Sequence, residues 1–198
     1  MSDISAGTEE RVVLLDEAGH RTGTALKSQV HGLDTPLHLA FSCYLFDADG
    51  CTLLTQRALS KQTWPGVWTN SCCGHPGPGE AIADAVRRRV REELGVPLAE
   101  VRLVLPAFRY RAVMADGVVE NEMCPVFVAA LPDPAPLSPD PSEVEDWTWM
   151  DWHQLRTDVL AGRREISPWC REQLAAMPDD PWTAPADPGR LPSAATPG

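Results

Sequence analysis

Five side chains with the character of metal ligands lie in three separated segments of the chain: His31, His38, His75, Glu120 and Glu122. Imidazole nitrogens combined with carboxylate oxygens suit zinc, manganese or iron. Glu120 and Glu122 are two positions apart in a predicted strand, so both side chains should point to one face and could close on a single ion. Each histidine alone is more commonly a surface or hydrogen-bonded residue. The pattern therefore predicts a metal site only if the fold brings all three segments together.

A reactive thiol is the second candidate for chemistry. The chain has six cysteines, at positions 43, 51, 72, 73, 124 and 170. Because they are widely spaced in a chain long enough to bury a core, we expect reduced thiols, and without a CxxC pair a cysteine-only zinc site is not expected.

A catalytic thiol must face a cavity, whereas a packed one is inert. We assign the catalytic position to Cys73, which Gly-His follows, and not to its neighbour Cys72. The others are predicted to be packed, although Cys124 would share a strand face with the two glutamates.

A loop that runs into a helix, residues 73–96, must position several of these groups. Its apolar residues recur every four positions, at Ile82, Val86, Val90 and Leu94. This spacing after a glycine and proline-rich loop predicts an amphipathic helix. Glu80 and Asp84 suit its first turn, and Gly95 followed by Pro97 ends it.

The predicted solvent side of this helix carries two arginines and two glutamates, spaced i,i+4: Arg88, Arg89, Glu92 and Glu93. Ordinary helix-stabilising ion pairs are one explanation. An acid that precedes its base is better oriented, however, and here the order is reversed, which weakens that explanation. A functional role for these charges therefore stays open.

The rest of the chain predicts strands first and helices near the end. Predicted strands cover residues 11–15, 37–46, 51–57, 101–115 (a pair or one bent strand), 118–131 and 144–150. Residues 58–74 predict an ordered loop lined by large rings, and five prolines between positions 132 and 141 predict a surface loop. Predicted helices cover 152–160, with Asp151 as N-cap, and 168–177, with a proline in the first turn.

Composition indicates one folded domain and limits its partners. The chain has 198 residues, 43% of them apolar, and a formal charge of −11. We expect a flexible N-terminus (1–10), a single catalytic domain (11–177) and a Pro/Ala-rich disordered tail (178–198). The negative charge disfavours nucleic acid and anionic membranes, so an anionic ligand should be small and held by a few placed cations. Without an apolar span or signal peptide we expect a cytoplasmic protein, as a monomer or weak homo-oligomer.

The loop and helix resemble the Nudix box: Gly, five residues, Glu, seven residues, then Arg-Glu-apolar-x-Glu-Glu-x-Gly-apolar. The matching positions are Gly74, Glu80, Arg88, Val90, Glu92, Glu93, Gly95 and Val96. The one departure is Arg89, where the pattern has glutamate. In Nudix hydrolases these glutamates hold divalent ions that activate water on a diphosphate, so the arginine removes a ligand and adds a diphosphate-binding fork. The resemblance implies an α/β (α+β) fold, a Nudix-type mixed sheet flanked by helices.

Further motifs are similar to those of the type 1 isopentenyl-diphosphate delta-isomerases within the Nudix superfamily. They are HLAFSCYLF (38–46), QRALSKQTWPGVWTNSCCGHP (56–76), FRYRA (108–112), ENEMCPVF (120–127) and SPW (167–169). These motifs occur in the same order over residues 11–169, and the tail lies outside them. The family moves a double bond in a five-carbon diphosphate, converting isopentenyl into dimethylallyl diphosphate for isoprenoid biosynthesis.

The resemblance implies a role for each candidate residue. Cys73 and Glu122 would be the acid-base pair on opposite faces of the substrate, with Tyr110 hydrogen-bonded near Glu122. The ring face of Trp169 could favour the tertiary carbocation that forms when the alkene gains a proton. A divalent ion (Mn, Zn or Mg) would bind the three histidines and two glutamates named first: His31, His38, His75, Glu120 and Glu122. A magnesium ion would bridge Glu93 to the diphosphate.

The resemblance also places four cations around the diphosphate: Lys27, Arg57, Lys61 and Arg89. The alternative for the two lysines is that they are scattered solubility charges. Trp64, Trp68 and Phe41 could line the hydrocarbon end of the substrate, although tryptophans commonly belong to the core. A Nudix diphosphate hydrolase and a binding module without catalysis are the other readings. The first predicts glutamate at position 89 and has no use for Cys73, and the second would tolerate loss of either proton carrier.

Overall fold

The computed structural model describes residues 9–131, 137–185 and 187–196. The expected flexible N-terminus falls mostly on residues 1–8, which lie outside this part of the chain, as do residues 132–136 of the expected proline-rich loop. The described residues contain two sheets, four α-helices and three short 3-10 helices.

The first sheet has the order β2-β1-β3-β10-β9. Its strands are β1 (Arg11–Leu15), β2 (Arg21–Leu26), β3 (His38–Leu39), β9 (Arg109–Val113) and β10 (Val119–Met123). β10 runs parallel to β3 and antiparallel to β9. The register places Glu122 opposite both His38 on β3 and Tyr110 on β9, so three candidate site residues meet in one row.

The second sheet has the order β12-β5-β4-β11-β8, with β7 also paired to β4 and β6 to β5. Its strands are β4 (Phe41–Phe46), β5 (Cys51–Arg57), β6 (Trp68–Thr69), β7 (Cys72–Gly74), β8 (Arg102–Leu105), β11 (Val126–Ala130) and β12 (Val144–Asp151). β4 and β11 are parallel, and every residue of β4 is buried, as expected for a strand covered on both faces.

Helices cover both faces of this second sheet. They are α2 (Ile82–Leu94), α3 (Trp152–Leu160) and α4 (Pro168–Ala176), whereas α1 (Lys27–Val30) contacts β1 and β2 of the first sheet. The apolar stripe of α2 packs on one face with Phe41 and Leu45, and α3 and α4 pack on the other with Tyr44 and Phe46. The alternation of side chains along β4 therefore divides the core between its two helical layers.

Two predicted long strands are each broken where the chain passes from one sheet to the other. The segment 37–46 becomes β3 and β4, and 118–131 becomes β10 and β11. The second break falls at Pro125, which has no N–H to continue a ladder. At the first break, the Ala40 N–H donates to the Met123 carbonyl, so the two segments pass from the first sheet to the second side by side. A continuous apolar run in the sequence does not reveal such a change of sheet.

The central helix starts later and is more buried than its sequence suggests. Glu80 lies before the first turn, where it accepts from the Gly77 N–H and from Arg88. Arg89 and Glu93, predicted to face solvent, are each only 7% exposed. Glu10, which precedes β1, and Glu143, which precedes β12, both pair with the Arg89 guanidinium on that side of the helix.

The end of α2 is fixed by Gly95 and the segment that follows residue 136. Gly95 has φ 74°, and a Cβ there would lie 3.1 Å from the Ser138 carbonyl oxygen, so only glycine fits without a shift. The N–H groups of Ser138 and Asp140 donate to the Leu94 and Glu93 carbonyls. These bonds satisfy the last carbonyls of the helix.

The C-terminal tail, expected to be disordered, has described structure over residues 178–185 and 187–196. It forms three short 3-10 helices, Pro181–Thr183, Pro188–Arg190 and Ser193–Ala195. Ala195 is 1% exposed and packs with Leu191 on the α2 side of the core, while Ala184 packs on the opposite side. Composition did not indicate this because the tail buries only a few small side chains. In the described parts of the chain, no helix has the length and apolar character needed to cross a membrane.

Candidate active site

Four of the five expected metal ligands converge at one end of a cavity. His31, His38, His75 and Glu122 each offer one ligand atom, and these atoms all lie within 4.8 Å of one another. His31 follows α1, His38 is on β3, His75 follows β7 and Glu122 is on β10. The ring centroids of the three histidines are 5.2 to 6.0 Å apart. The fold therefore assembles a compact N₃O donor set from four separate elements.

The protonation of these imidazoles indicates that the set suits a cation. The Nδ1 atom of His38 lies 2.9 Å from the Pro36 carbonyl oxygen, an acceptor, so Nδ1 carries a hydrogen. In the neutral ring, Nε2 then carries a lone pair and no hydrogen, yet it lies 3.3 Å from the Glu122 Oε1 atom. Two acceptors at this distance repel each other unless a positive charge lies between them. The Nε2 atoms of His31 and His38 and the Nδ1 atom of His75 are buried without a hydrogen-bond partner, which a bound metal would supply.

Glu120 lies beside this group but outside it. The Tyr110 hydroxyl is 2.9 Å from Glu120 Oε2 and 2.8 Å from Glu122 Oε2. One hydroxyl hydrogen cannot serve two carboxylates, so one of the carboxyls must carry a proton. Burial and then the charge of Glu122 raise the pKa of Glu120 to about 7. Burial alone would raise the pKa of Glu122 too, but the His38 and His75 imidazoles beside it hold it well below its usual value.

The Cys73 thiol reaches the same cavity from β7. Its Sγ atom lies 3.2 Å from the Asn70 Oδ1 atom and 3.4 Å from the Ser42 Oγ atom. Burial raises the pKa of the Cys73 thiol to about 11, so the sulfur keeps its hydrogen at neutral pH. The neighbouring Cys72 side chain belongs to the α2 side of the core and is 2% exposed, as alternation along a strand requires.

The cavity has a volume of about 520 Å³ and joins these groups to a cluster of cations. Its lining includes Cys73, Glu120, Glu122, Tyr110 and Trp169. All four cations expected to hold a diphosphate line the same cavity: Lys27, Arg57, Lys61 and Arg89. One chamber thus combines two proton-carrying groups with four cationic side chains.

Protein carboxylates pair with three of these four cations. Lys27 Nζ lies 2.7 Å from the Glu10 Oε2 atom, and Lys61 pairs with Glu143. The Arg89 guanidinium lies 2.5 Å from Glu93 and 3.3 Å from Glu143. Arg57 donates instead to the Thr63 carbonyl, at 2.9 Å from Nη2 and 3.1 Å from Nε. No sequence motif marks Glu10 or Glu143, because each is a single carboxylate in an acidic chain.

The aromatic wall of the cavity differs in part from expectation. Trp169 is 2% exposed, with Tyr110 at 5.6 Å and Trp64 edge-on at 5.7 Å between ring centroids. The Arg57 Cζ atom lies 6.0 Å from the centre of the Trp169 ring. Trp64 and Trp68 pack behind the cavity and Phe41 is fully buried, so these three do not line it.

Comparison with known proteins gives one family match and many relatives. The NUDIX domain model matches residues 36–170. The isopentenyl-diphosphate Delta-isomerase of Saccharopolyspora erythraea is 56% identical over 191 residues, covering 94% of this chain and 97% of that protein. The protein of the same name from Mycolicibacterium vanbaalenii is 59% identical over 170 residues, covering 86% and 92%.

Solved structures that resemble this one are much more distant in sequence. A protein from Deinococcus radiodurans has a TM-score of 0.66 at 19% identity and covers 85% of this chain and 99% of its own. The MutT protein from Methanosarcina mazei has a TM-score of 0.58 at 18% identity and covers 73% and 95%. At these identities the likeness concerns the fold alone.

Proposed function

We infer that this chain, which belongs to the Nudix family and within it to the isopentenyl-diphosphate Delta-isomerases, interconverts isopentenyl and dimethylallyl diphosphate. One observation carries the inference: a thiol and a carboxylate line a single cavity that also presents four cations. A five-carbon diphosphate has a short hydrocarbon part and a compact anionic part, and the lining of the cavity includes both aromatic and cationic side chains.

The reaction needs two proton carriers. A proton added to the terminal carbon of the alkene gives a tertiary cation, and loss of a proton from the neighbouring methylene then completes the allylic shift. Protonation of an unactivated alkene requires an acid in a site that excludes water. Cys73 and Glu122 supply the two carriers, and because the reaction is reversible each serves as donor and acceptor.

The resting protonation states suit this pair. The Cys73 thiol holds its hydrogen because burial raises its pKa to about 11, whereas Glu122 is ionised because neighbouring imidazoles lower its pKa. The Tyr110 hydroxyl bonds to both Glu120 and Glu122, and burial together with the charge of Glu122 raises the pKa of Glu120 to about 7. The Trp169 ring lines the cavity where its face could stabilise positive charge.

Divalent metals complete the proposal. His31, His38, His75 and Glu122 would hold one ion of Mn, Zn or Mg, with Glu120 as a fifth ligand by resemblance to the family. Such an ion supplies positive charge that fixes Glu122 in place. Glu93 lines the cavity beside Arg89 and would hold a magnesium ion, which would supply positive charge for the diphosphate.

The diphosphate would replace the carboxylates that now pair with the cations. Glu10 and Glu143 are single side chains with one negative charge each, while a diphosphate offers several charged oxygens to Lys27, Lys61 and Arg89. A small anionic substrate also explains why cations cluster in a protein with a net charge of −11.

Diphosphate hydrolysis is the alternative within the same superfamily. The hydrolase pattern requires glutamate at position 89, where this chain has a buried arginine bonded to Glu93. Purified protein with magnesium and isopentenyl diphosphate separates the two reactions, with proton NMR following the alkene and phosphorus NMR following the diphosphate. We expect dimethylallyl diphosphate with an intact diphosphate. Released phosphate without isomerised product would overturn the proposal.

A further inference from the structure

Asn70 is a buried polar residue that the chemistry described so far does not use. It lies between β6 and β7, is 0% exposed and carries no charge. A buried carboxamide costs free energy unless its hydrogen-bonding groups find partners. The partners of Asn70 therefore show why an amide occupies this position.

The orientation of the amide is fixed by two backbone carbonyls. Its Nδ2 atom donates to the Cys43 carbonyl oxygen at 3.1 Å and to the Cys72 carbonyl oxygen at 2.9 Å. Both are acceptors, so only the nitrogen of the amide can face them. The oxygen must consequently point the other way, towards Cys73 and Trp169.

The Oδ1 atom accepts from groups that belong to two distant elements. The Cys73 Sγ atom of β7 and the Trp169 Nε1 atom of α4 each lie 3.2 Å from it. The Thr69 hydroxyl also lies 2.9 Å from this oxygen, but it has an alternative partner in the Ser167 hydroxyl at 2.9 Å. Thiol and indole have one hydrogen each to donate, and both point to the same oxygen.

The remaining contacts of the sulfur complete this arrangement. The Ser42 Oγ atom lies 3.4 Å from the Cys73 Sγ atom and accepts from Gln173 Nε2 at 2.9 Å. Gln173 is on α4, as is Trp169, so the helix reaches the thiol by two separate routes. The thiol is therefore held by Asn70 on one side and by Ser42 on another, with the cavity on its open side.

We propose that Asn70 is a positioning residue of the isomerisation, whose carboxamide oxygen holds the Cys73 thiol and the Trp169 indole in fixed relation. The proposal rests on the inferred function. Proton transfer to carbon depends on the distance between sulfur and alkene, and stabilisation of a cation depends on the placement of the ring face. A displacement of about 1 Å can lower a rate by about 100-fold. Two backbone carbonyls hold the amide nitrogen of Asn70 and so fix the direction of its oxygen, which controls both placements.

The test compares Asn70→Ala with Ser71→Ala. Ser71 is the next residue and is also 0% exposed, but its hydroxyl bonds only to the Leu45 N–H and the Leu53 carbonyl. Both variants should lose thermal stability. We expect Asn70→Ala to lower kcat by on the order of 10 to 100-fold with KM within about twofold, because the cations are untouched. Ser71→Ala should keep kcat within about twofold. Equal kcat in the two folded variants would overturn the proposal.

Asn70→Asp addresses the case in which Asn70→Ala does not fold. A protonated aspartate keeps an oxygen towards thiol and indole and can donate to one of the two carbonyls, so we expect kcat within about tenfold of wild type. A folded Asn70→Asp protein without turnover would contradict the proposal, because the oxygen on which it rests is still present. Wild-type protein in the same assay separates the proposed isomerase function from the positioning role of Asn70. Failure of the wild type to isomerise would refute the function itself.

A spectroscopic measurement detects the hydrogen bond without turnover. The chain has seven tryptophans. Trp169→Phe identifies the indole N–H resonance of Trp169 among them in a proton-nitrogen correlation spectrum. We expect Asn70→Ala to move this resonance upfield and Ser71→Ala to leave it in place. An unmoved resonance in Asn70→Ala would show that the amide oxygen does not hold the indole.

Discussion

Glu120 and Glu122 are two residues apart on one strand, yet their environments drive their pKa values in opposite directions. The imidazoles next to Glu122 favour its charged form, and that charge, together with burial, favours the neutral form of Glu120. Tyr110 bonds to both and so requires one proton on the pair. Carboxyl pairs with separated pKa values are typical of acid-base sites.

The thiol can be tested against its neighbour. Cys73→Ala should lower kcat by about 10³-fold or more, because general acid-base catalysis typically contributes factors of this size. Cys72→Ala should keep most of the turnover and lose stability, because that side chain packs in the core. Formation of dimethylallyl diphosphate, followed by NMR, measures both. Comparable turnover in Cys73→Ala and wild type would remove the thiol from the mechanism.

The metal group allows a binding test independent of turnover. Metal-depleted protein should bind one equivalent of Mn²⁺ or Zn²⁺ in a calorimetric titration, and His75→Ala should weaken binding by at least about tenfold. His153→Ala is the control, because His153 is exposed on α3. A titration in which the two variants behave alike would show that the cluster is not the metal site.

The same titration has a predicted pH dependence. Burial lowers the pKa of His31 to about 4 and also lowers the pKa of His75, so both rings favour the neutral, metal-binding form more than a free imidazole does. Burial is the largest effect on His38 as well, but the hydrogen bond and charge of Glu122, with the Pro36 carbonyl and Glu120, together outweigh it and raise the pKa, so this ring is the one that gains a proton as pH falls. We expect affinity to fall with decreasing pH, with about one proton released per ion bound at acidic pH. Proton release that grows instead towards higher pH would contradict the assignment of His38 as the ring that gains a proton.

Residue types and motifs predicted much of the site but not its inner contacts. The histidines, Cys73, Glu122 and four cations were predicted from motifs with unusual residue types, and the structure brings them to one cavity. Asn70 was not selected, because its role depends on where one amide oxygen points after folding. Glu10 and Glu143 were missed for a similar reason, since each meets its partner only across the fold.

At the scale of elements, the loop before α2 depends on one carboxylate. Glu80 bonds Arg88 through two oxygens, at 2.7 and 2.8 Å, and also accepts from the Gly77 N–H. It thereby joins the loop that carries His75 to the helix that carries Arg89. The helix itself lacks a side-chain N-cap, and the Asp84 and Ala85 N–H groups donate to the Ala81 carbonyl instead.

This contact has a predicted pH dependence. The Arg88 hydrogen bond lowers the pKa of Glu80 below its ordinary value of 4.5. The stabilisation is therefore complete above about pH 4.5 and is lost as pH falls through the lower, folded-state value. Glu80→Gln should reduce the free energy of unfolding by about 1 kcal/mol at pH 7 and by less at pH 4, measured by urea denaturation. Asp84→Asn, which removes an exposed carboxylate of the same helix, should have a smaller effect. A Glu80→Gln effect that grows on acidification would refute this account.

The fold class was predictable, whereas the sheet assignment of its strands was not. The expected mixed sheet flanked by helices is confirmed. Periodicity located α2, and the Asp151 cap and a first-turn proline located α3 and α4, to within two residues. The passage of two strands between sheets went unpredicted, because a run such as HLAFSCYLF is apolar on both sides of the break. This crossing places His38 and Glu122 side by side in one sheet and leaves Cys73 on the other.

At the scale of the whole molecule, the tail connects the end of the chain to its beginning. The Ala194 N–H and the Ser193 hydroxyl donate to the Gly19 carbonyl, in the turn between β1 and β2. Leu191 and Ala195 pack on the core next to this turn. None of these residues lines the cavity, so the tail should matter for stability and not for turnover.

Truncation tests this role. Removal of residues 187–198 should lower the free energy of unfolding by about 2 kcal/mol, the scale expected for exposing one leucine and neighbouring small side chains. Values of kcat and KM at 25 °C should stay within about twofold of wild type. Removal of residues 197–198 alone, which leaves the Gly19 contacts intact, is the control. Equal unfolding midpoints for the two truncations would show that the packed tail adds no stability.

Solvent exchange during turnover tests the central claim that Cys73 and Glu122 pass protons between solvent and the two reacting carbons. Wild-type protein, magnesium and isopentenyl diphosphate are incubated in deuterated water, and the product is analysed by mass spectrometry and NMR. The account predicts dimethylallyl diphosphate with deuterium in the methyl group formed from the terminal alkene carbon, and no released phosphate. Unlabelled dimethylallyl diphosphate, or phosphate release without any isomer, would contradict it.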